Sequence, residues 1–235
     1  MRTKLVLGIE TSGNATGLAL ASDNRVVAEL VENTNCSHNE VLMPLLDRLL
    51  KGAGVAVADV AGIGVDVGPG MFTSLRVGIS TAKGLAIAHQ LPIVSVNSLW
   101  SLARTASPGL DRVLAVMDAR KHQVYAALYI EGRAAIAPAL FSPEQLSLRV
   151  GPTPAAHERV VVAGDGAALC REQLAAVGIR LEPSGIEHPS PGVVAVEAAA
   201  RIAGGMVDDV AALEPLYLRR TDAELAREQK LKPAG

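Results

Sequence analysis

A few short stretches hold residues whose types and spacing could do chemistry. Glu10-Thr11-Ser12 closes the apolar run Leu5 to Ile9 and opens a polar turn with Gly13 and Asn14. Backbone amides and hydroxyls at such a place can cradle a phosphate, although ordinary turn chemistry accounts for the same residues. Gly68-Pro69-Gly70 stands before a helical stretch, where free N–H groups could face an anion. No Gly-Lys-Ser/Thr follows it, so it is not a P-loop. Arg76 and Lys83 lie on the helix that follows. Glu10, Thr11, Ser12, Gly68, Gly70, Arg76 and Lys83 therefore form the candidate nucleotide or phosphate set, weighed against turns and a solvated helix face.

His38 and Glu40 invite a metal or acid–base reading; a capped helix start explains them as well, with Glu40 favoured by the helix dipole. His89, His122, His157 and His188 show no HxxxH or HxH spacing, so no local zinc or iron motif exists. Asp118-Ala119-Arg120-Lys121 and Gly164-Asp165-Gly166 could take a cation or hydroxyl proton, or simply turn the chain. No Ser–His–Asp or Cys–His arrangement assembles from local signals. Cys36 and Cys170 lack metal spacing and suit packed thiols in a reducing cytoplasm.

The elements that must position these residues can be read from hydrophobic period and turn formers. Leu5–Ile9, Ala15–Ala21 and Arg25–Glu32 read as an antiparallel meander. A helix follows, with Ser37 and Glu40 as a capping box, an apolar face of Val41, Leu42, Leu45, Leu46 and Leu49, and Gly52 and Gly54 at its end. Val60–Val67 is a strand, and the Gly-Pro-Gly turn then leads into a helix carrying Ser74, Gly78, Ala82 and Ala86 every four residues. That helix also holds two glycines, each costing about 1 kcal/mol relative to alanine, so close packing or a ligand must offset them. A strand at Leu91–Val96 and a helix at Ser98–Ala106 complete βββαβαβα.

Ser107-Pro108-Gly109 then divides the chain. The second half repeats the plan with strands Arg112–Met117, Gln123–Ile130 and Ala134–Leu140. A short helix follows at Pro143–Leu148, then a strand at Arg159–Ala163 and helices at Ala167–Val177 and Gly192–Ala203. The division expected is 1–106, 107–220 and a charged tail over 221–235.

Composition bounds the function. The 235 residues carry a net charge of −2 and 3% aromatics, which argues against a stand-alone nucleic-acid binder with a base-stacking platform. No apolar run reaches the ~18–20 residues needed to span a bilayer, and no cleavable signal precedes the first strand. A soluble, cytoplasmic protein is expected.

The stretch Gly68-Pro69-Gly70-Met71-Phe72-Thr73-Ser74-Leu75-Arg76-Val77-Gly78, with Thr81-Ala82-Lys83-Gly84-Leu85, closely resembles the GPGSFTGLRIG…AKGLA signature of the TsaB (YeaZ) family. Gly8-Ile9-Glu10-Thr11-Ser12, Ser37-His38-Asn39-Glu40, Met117-Asp118-Ala119-Arg120 and Pro215-Leu216-Tyr217-Leu218-Arg219 agree in the right order, so the resemblance covers essentially the whole chain. Met71, Ser74 and Glu10 depart from the usual Ser, Gly and Asp. The resemblance implies an α/β ASKHA fold, the actin/hexokinase/Hsp70 type with two βββαβαβα domains. It also implies a role in making the threonylcarbamoyl modification of adenosine in tRNA, beside a TsaD-type transferase and a TsaE-type ATPase.

The metal-binding HxxxH pair of the TsaD/Kae1 branch has no counterpart in Val96-Asn97-Ser98-Leu99-Trp100-Ser101-Leu102, which implies a non-catalytic paralogue without activity alone. No intrinsic cofactor is expected; ATP or ADP would sit at the interface of the complex. Pairing through first-domain helices, or a homodimer when the partner is absent, makes His38, Val41, Leu42, Leu45, Leu46, Leu49, Phe72, Ser74, Leu75, Gly78 and Ala82 the candidate interface. Contact with tRNA would come through the complex. The competing readings are an independent ASKHA enzyme, kinase or peptidase-like, and a regulatory nucleotide-binding homodimer.

Overall fold

Two apolar runs buried on both faces and a third, more exposed edge run begin the first sheet. The structure, a computed structural model, describes residues 4–33, 37–109, 111–153 and 159–219. Strands β1 (Leu5–Glu10), β2 (Ala15–Ser22) and β3 (Arg25–Asn33) form the expected antiparallel meander. After helix α1 (His38–Ala53), a 3-10 turn at Val57–Asp59 leads into β4 (Val60–Gly68). Helix α2 (Phe72–His89) connects to β5 (Ile93–Asn97), and the sheet order is β3-β2-β1-β4-β5. Strands β4 and β5 join parallel to β1 and to each other through helical crossovers.

The second half repeats this order. After α3 (Ser98–Ala106) come β6 (Arg112–Asp118), β7 (Val124–Ile130), β8 (Arg133–Phe141), α4 (Pro143–Val150), β9 (Arg159–Ala163), α5 (Ala167–Ala176) and β10 (Arg180–Pro183). Their sheet runs β10-β9-β6-β7-β8, with β7 and β8 antiparallel and β9 and β10 parallel. The last helix is α6 (Pro191–Ala203). Two sheets of identical plan make this the ASKHA fold. Strand β10 escapes a sequence reading because it has four residues, Arg-Leu-Glu-Pro, with none fully buried.

Each sheet is covered on both faces, and the covers come from both halves of the chain. Leu7, Ile9, Ile63 and Val65 point toward α1 and α2, meeting Leu42, Leu45, Leu46, Leu49, Ile79 and Ala82 in one core. On the opposite face Val6, Val94 and Val96 meet Val194 and Ala198 of α6. There, a Cβ on Gly8 would lie 2.6 Å from the Ala195 nitrogen, and one on Gly64 would lie 2.6 Å from the Ala198 Cβ. Glycine on β1 and β4 is what lets α6 lie so near the sheet. Helix α3 goes the other way: Leu99, Leu102 and Ala103 pack with Val113, Ala115, Ala127 and Tyr129 of the second sheet.

The division expected at 106/107 is therefore a boundary in sequence but not in space. Helix α3 belongs to the second unit and α6 to the first, because each sheet's second face needs an apolar cover. The 221–235 tail, Cys36 and His157 lie outside the described residues.

Two local expectations differ from the structure. Ser37 precedes α1 in extended backbone, but its hydroxyl goes to the Asn39 carboxamide, and the Glu40 N–H donates to the Ser37 carbonyl at 2.9 Å. The capping box does not form, since the Glu40 N–H that the Ser37 hydroxyl oxygen would accept goes to the Ser37 carbonyl instead. The helix also runs through Gly52 and ends at Gly54, whose φ of 68° is the left-handed cap that glycine allows.

Candidate docking face and interdomain cleft

The two signature turns pack on each other. The Met71 N–H donates to the Ser12 carbonyl at 2.8 Å, and a Cβ on Gly70 would lie 2.4 Å from that oxygen. Gly70 is thus required for contact between the turns. Glu10 and Thr11 are buried behind them. The Thr11 hydroxyl faces Gly78, where a Cβ would come within 2.3 Å of it.

Glu10 and Asp66 meet in the interior. The parallel register pairs Ile9 with Val65, so one residue on the two carboxyls stand side by side, on the face that carries Gly8 and Gly64. Glu10 Oε1 accepts from the Ser12 N–H at 2.7 Å and from the Ser12 hydroxyl at 2.5 Å. Asp66 Oδ1 accepts from the Gly68 N–H at 2.7 Å and from the Ser98 hydroxyl, while Oδ2 is buried without a hydrogen bond. Burial pushes Glu10 up to about 7. Burial and the neighbouring Glu10 hold Asp66 well above the usual carboxylate range. This pair braces both turns from inside.

Arg76 and Lys83 serve a different contact from the one proposed for them. Arg76 Nε donates to the Tyr217 hydroxyl at 2.9 Å, and its guanidinium lies 3.8 Å over the Phe72 ring, which stacks on Tyr217 at 5.0 Å. Lys83 Nζ donates to the Ala211 carbonyl, and the Leu216 N–H donates to the Val67 carbonyl at 2.7 Å. Asp208 accepts from the N–H and hydroxyl of Ser95 at 2.6 and 2.7 Å. The segment after α6 is thereby strapped along α2, β4 and β5. Arg219 then reaches the second unit, donating to the Ala119 carbonyl at 2.9 Å.

Between the units lies a cleft of about 350 Å³. Ser12, Gly70, Met71 and Phe72 line one side, the 118–121 hairpin and Asp165 the other, and Leu216, Tyr217 and Arg219 the rim. The hairpin turns through three successive non-glycine residues at positive φ: Arg120 (63°), Lys121 (52°) and His122 (57°). Such backbone is uncommon and is held by its surroundings. Here Asp118 accepts from the Arg120 N–H at 2.7 Å, and the Asp118 N–H donates to Asp165 at 2.8 Å. Burial raises Asp165 above its ordinary range. Sequence reading marked Asp118 and Asp165 as ambiguous turns and did not connect either to Tyr217 or Arg219, because only the strap brings those together.

The candidate partner interface splits in two. Leu42, Leu45, Leu46, Leu49, Ser74, Leu75, Gly78 and Ala82 are all buried within the chain. The small stripe faces the chain's own sheet, since α2 must lie close over Thr11. His38 is turned inward, with Nδ1 2.8 Å from the Thr16 hydroxyl, and burial lowers its pKa. Val41 is partly buried, and Phe72 is exposed at the cleft. The outward faces of α1 and α2 instead present Met43, Pro44, Ser80, Gly84 and Ile87. Ile87 is 69% exposed, and a Cβ on Gly84 would meet nothing within 4 Å.

Helix α3 is where the resemblance would place the metal pair of the TsaD branch. Its Ser98 and Ser101 hydroxyls donate to Asp66 and to the Ser190 carbonyl, and Leu99 and Leu102 are core residues. These side chains do not fit a metal. Among the described residues no group of three His, Cys, Asp or Glu gathers to hold one, and no helix is long and apolar enough to cross a membrane.

Known proteins resemble the chain along most of its length. The family described as "TsaD: tRNA N6-adenosine threonylcarbamoyltransferase" matches residues 26–227. The tRNA threonylcarbamoyladenosine biosynthesis protein TsaB of Escherichia coli (strain K12) is 36% identical over 126 residues, 53% of this chain and 54% of that protein. The chain thus spans about half the length of the curated TsaB relatives it matches. An uncharacterized protein of Mycobacterium tuberculosis (strain ATCC 25618 / H37Rv) is 34% identical over 223 residues, 93% of each chain. The structure of YeaZ from Pseudomonas aeruginosa superposes with a TM-score of 0.78 at 31% identity, covering 92% of this chain and all of that one. A shared two-sheet plan, the Gly68–Gly78 signature and these matches lead to one conclusion: the chain belongs to the TsaD family, in its TsaB (YeaZ) branch.

Proposed function

We propose that the chain is a non-catalytic subunit of the machinery that places a threonylcarbamoyl group on tRNA adenosine. It acts by heterodimerising with a TsaD-type transferase. The acceptor is the adenosine beside the anticodon in tRNAs reading ANN codons, reached through the complex, and a TsaE-type ATPase with ATP or ADP engages at the interface of the complex. The observation that carries the reading is Gly84. A glycine inside an 18-residue helix costs about 1 kcal/mol, and Gly78 is explained by Thr11, whereas nothing in the chain explains Gly84. With Ser80 and Ile87 beside it and Met43 half exposed on α1, it offers a second helix pair a place of close approach. The absence of an imidazole from α3 supports the non-catalytic role.

Mixing the purified chain with its TsaD-type partner tests this. A heterodimer with transferase activity that neither subunit has alone is expected. Full activity from this chain by itself would overturn the reading in favour of an independent enzyme.

A further inference from the structure

We propose that a groove on the second unit, between the outer flank of α5 and the edge strand β10, docks an extended segment of another protein. That segment carries an aliphatic residue, an acid and a base at alternate positions. The chain's internal repeat points to it. Gly68 and Gly164 stand at the ends of β4 and β9 with φ of 106° and 111°, and each turn leads into a helix. Counted from the first helical residues, Phe72 and Ala167, the buried Leu75 and Ile79 of α2 match the buried Cys170 and Leu174 of α5, and Arg76 matches Arg171. In the first unit the strap covers the flank of α2 and the edge of β5. Leu213 is buried there with Val210 beside it, Asp208 accepts from Ser95, and Tyr217 takes the Arg76 guanidinium. In the second unit the corresponding channel is a groove of about 460 Å³ that no described residue fills. Ala168 and Arg171 line one side of it, and Ile179, Leu181, Ile186 and Glu187 the other.

The chemistry of the groove selects its occupant. Ile179 is buried and Leu181 and Ile186 are half-buried, so the floor suits an aliphatic side chain. Arg171 and Glu187 are exposed, and among the described residues neither makes a hydrogen bond or ion pair. The Gly164 N–H donates to the Ile186 carbonyl at 2.8 Å, which sets Glu187 at the start of α5, where Asp165 also stands. Arg171 lies midway along the helix, and Ile179 and Leu181 beyond its far end. Ten residues of helix span about 15 Å, the length of about five extended residues. Alternate residues of an extended chain share one face, so an aliphatic side chain, an acid and a base at the first, third and fifth positions meet the apolar floor, Arg171 and Glu187 in turn. The strap sets the direction, since it passes Ile93 at Asp208 before it reaches Phe72 at Tyr217. It runs from the start of the edge strand to the start of the helix. The groove does not rest on the docking face of α1 and α2.

The test is a titration of the full isotope-labelled chain with the peptide Ser-Leu-Ser-Glu-Ser-Lys-Ser, followed by amide chemical shifts. Saturable shifts at Ala168, Arg171 and Leu181 are expected, and none on α1 or α2. Arg171→Glu should weaken binding about tenfold or more, and a peptide with lysine in place of glutamate should restore it. Ala168→Trp fills the groove from an exposed helix position and should abolish binding with the melting temperature unchanged. No saturable shifts, parent-like binding by either variant, or equal binding of a peptide with its glutamate and lysine exchanged would overturn the proposal. So would self-association of the chain that Arg171→Glu removes, which would assign the groove to a second copy. Peptide binding that appears only once residues 221–235 are deleted would assign it to the chain's own end, and the partner reading would fall. Heterodimer formation, read separately by light scattering, is expected to survive Arg171→Glu, so the two readings fail independently.

Discussion

Two carboxyls sharing a buried site cannot both ionise cheaply, and at Glu10 and Asp66 the consequence is measurable. Glu10 titrates near 4.5 in the unfolded chain and is pushed up to about 7 in the fold. A raised acid stabilises the native state most when protonated, below the unfolded value, and loses that contribution as pH rises through the folded one. Stability should therefore fall between about pH 4.5 and 7 and level off above, by roughly 3 kcal/mol for a shift of this size; Asp66 acts in the same direction. Glu10→Gln keeps an acceptor for Ser12 and removes the charge. Its melting temperature should exceed that of the parent at pH 8 and vary less across this window, and a slope like the parent's would sink the assignment. Glu10 was legible in the sequence as unusual because it ends an apolar run before hydroxyls. Asp66 was not, since it sits inside another apolar run and becomes a neighbour only through parallel register.

At the scale of elements, α2 carries two glycines with opposite roles. A Cβ at position 78 would collide with Thr11, whereas one at position 84 would point into open space. Gly78→Leu should therefore damage the fold by several kcal/mol, since overpacking beyond 1–3 kcal/mol follows when backbone cannot yield. Gly84→Leu should leave the melting temperature near the parent's or raise it slightly, through better helix propensity, and block the heterodimer in light scattering. A normal heterodimer from Gly84→Leu would move the docking face elsewhere. The four-residue stripe of Ser74, Gly78, Ala82 and Ala86 was plain in the sequence, and so was its meaning of close approach. What it approaches was not legible, because a helix period reports one buried face and says nothing about whether a sheet or another chain covers it. The same limit applied to Leu42, Leu45, Leu46 and Leu49, which turned out to be the chain's own core.

At the scale of the whole molecule, the exchange of α3 and α6 between the units decides how the chain folds. A fragment of residues 1–106 would leave Val6, Val94 and Val96 without α6, and α3 without the strands it covers. It should show poor chemical-shift dispersion and no cooperative melt, while the chain through residue 219 melts as one unit; a folded 1–106 fragment would contradict this. The strap from Asp208 to Arg219 adds to that unity by fastening α2 and β4 to the 118–121 hairpin. The sequence by itself determined the kinds and order of elements apart from the short β10, the repeated βββαβα plan and the family, because these follow from local period, turn residues and a contiguous signature. It also marked the small stripe as a place of close approach. Only the tertiary structure decided which half covers which sheet, that the two signature turns close on each other, and that Arg76 and Lys83 hold the strap. Those outcomes depend on pairs of residues far apart in the chain, and such pairs acquire meaning only when sheet register and helix packing bring them within reach.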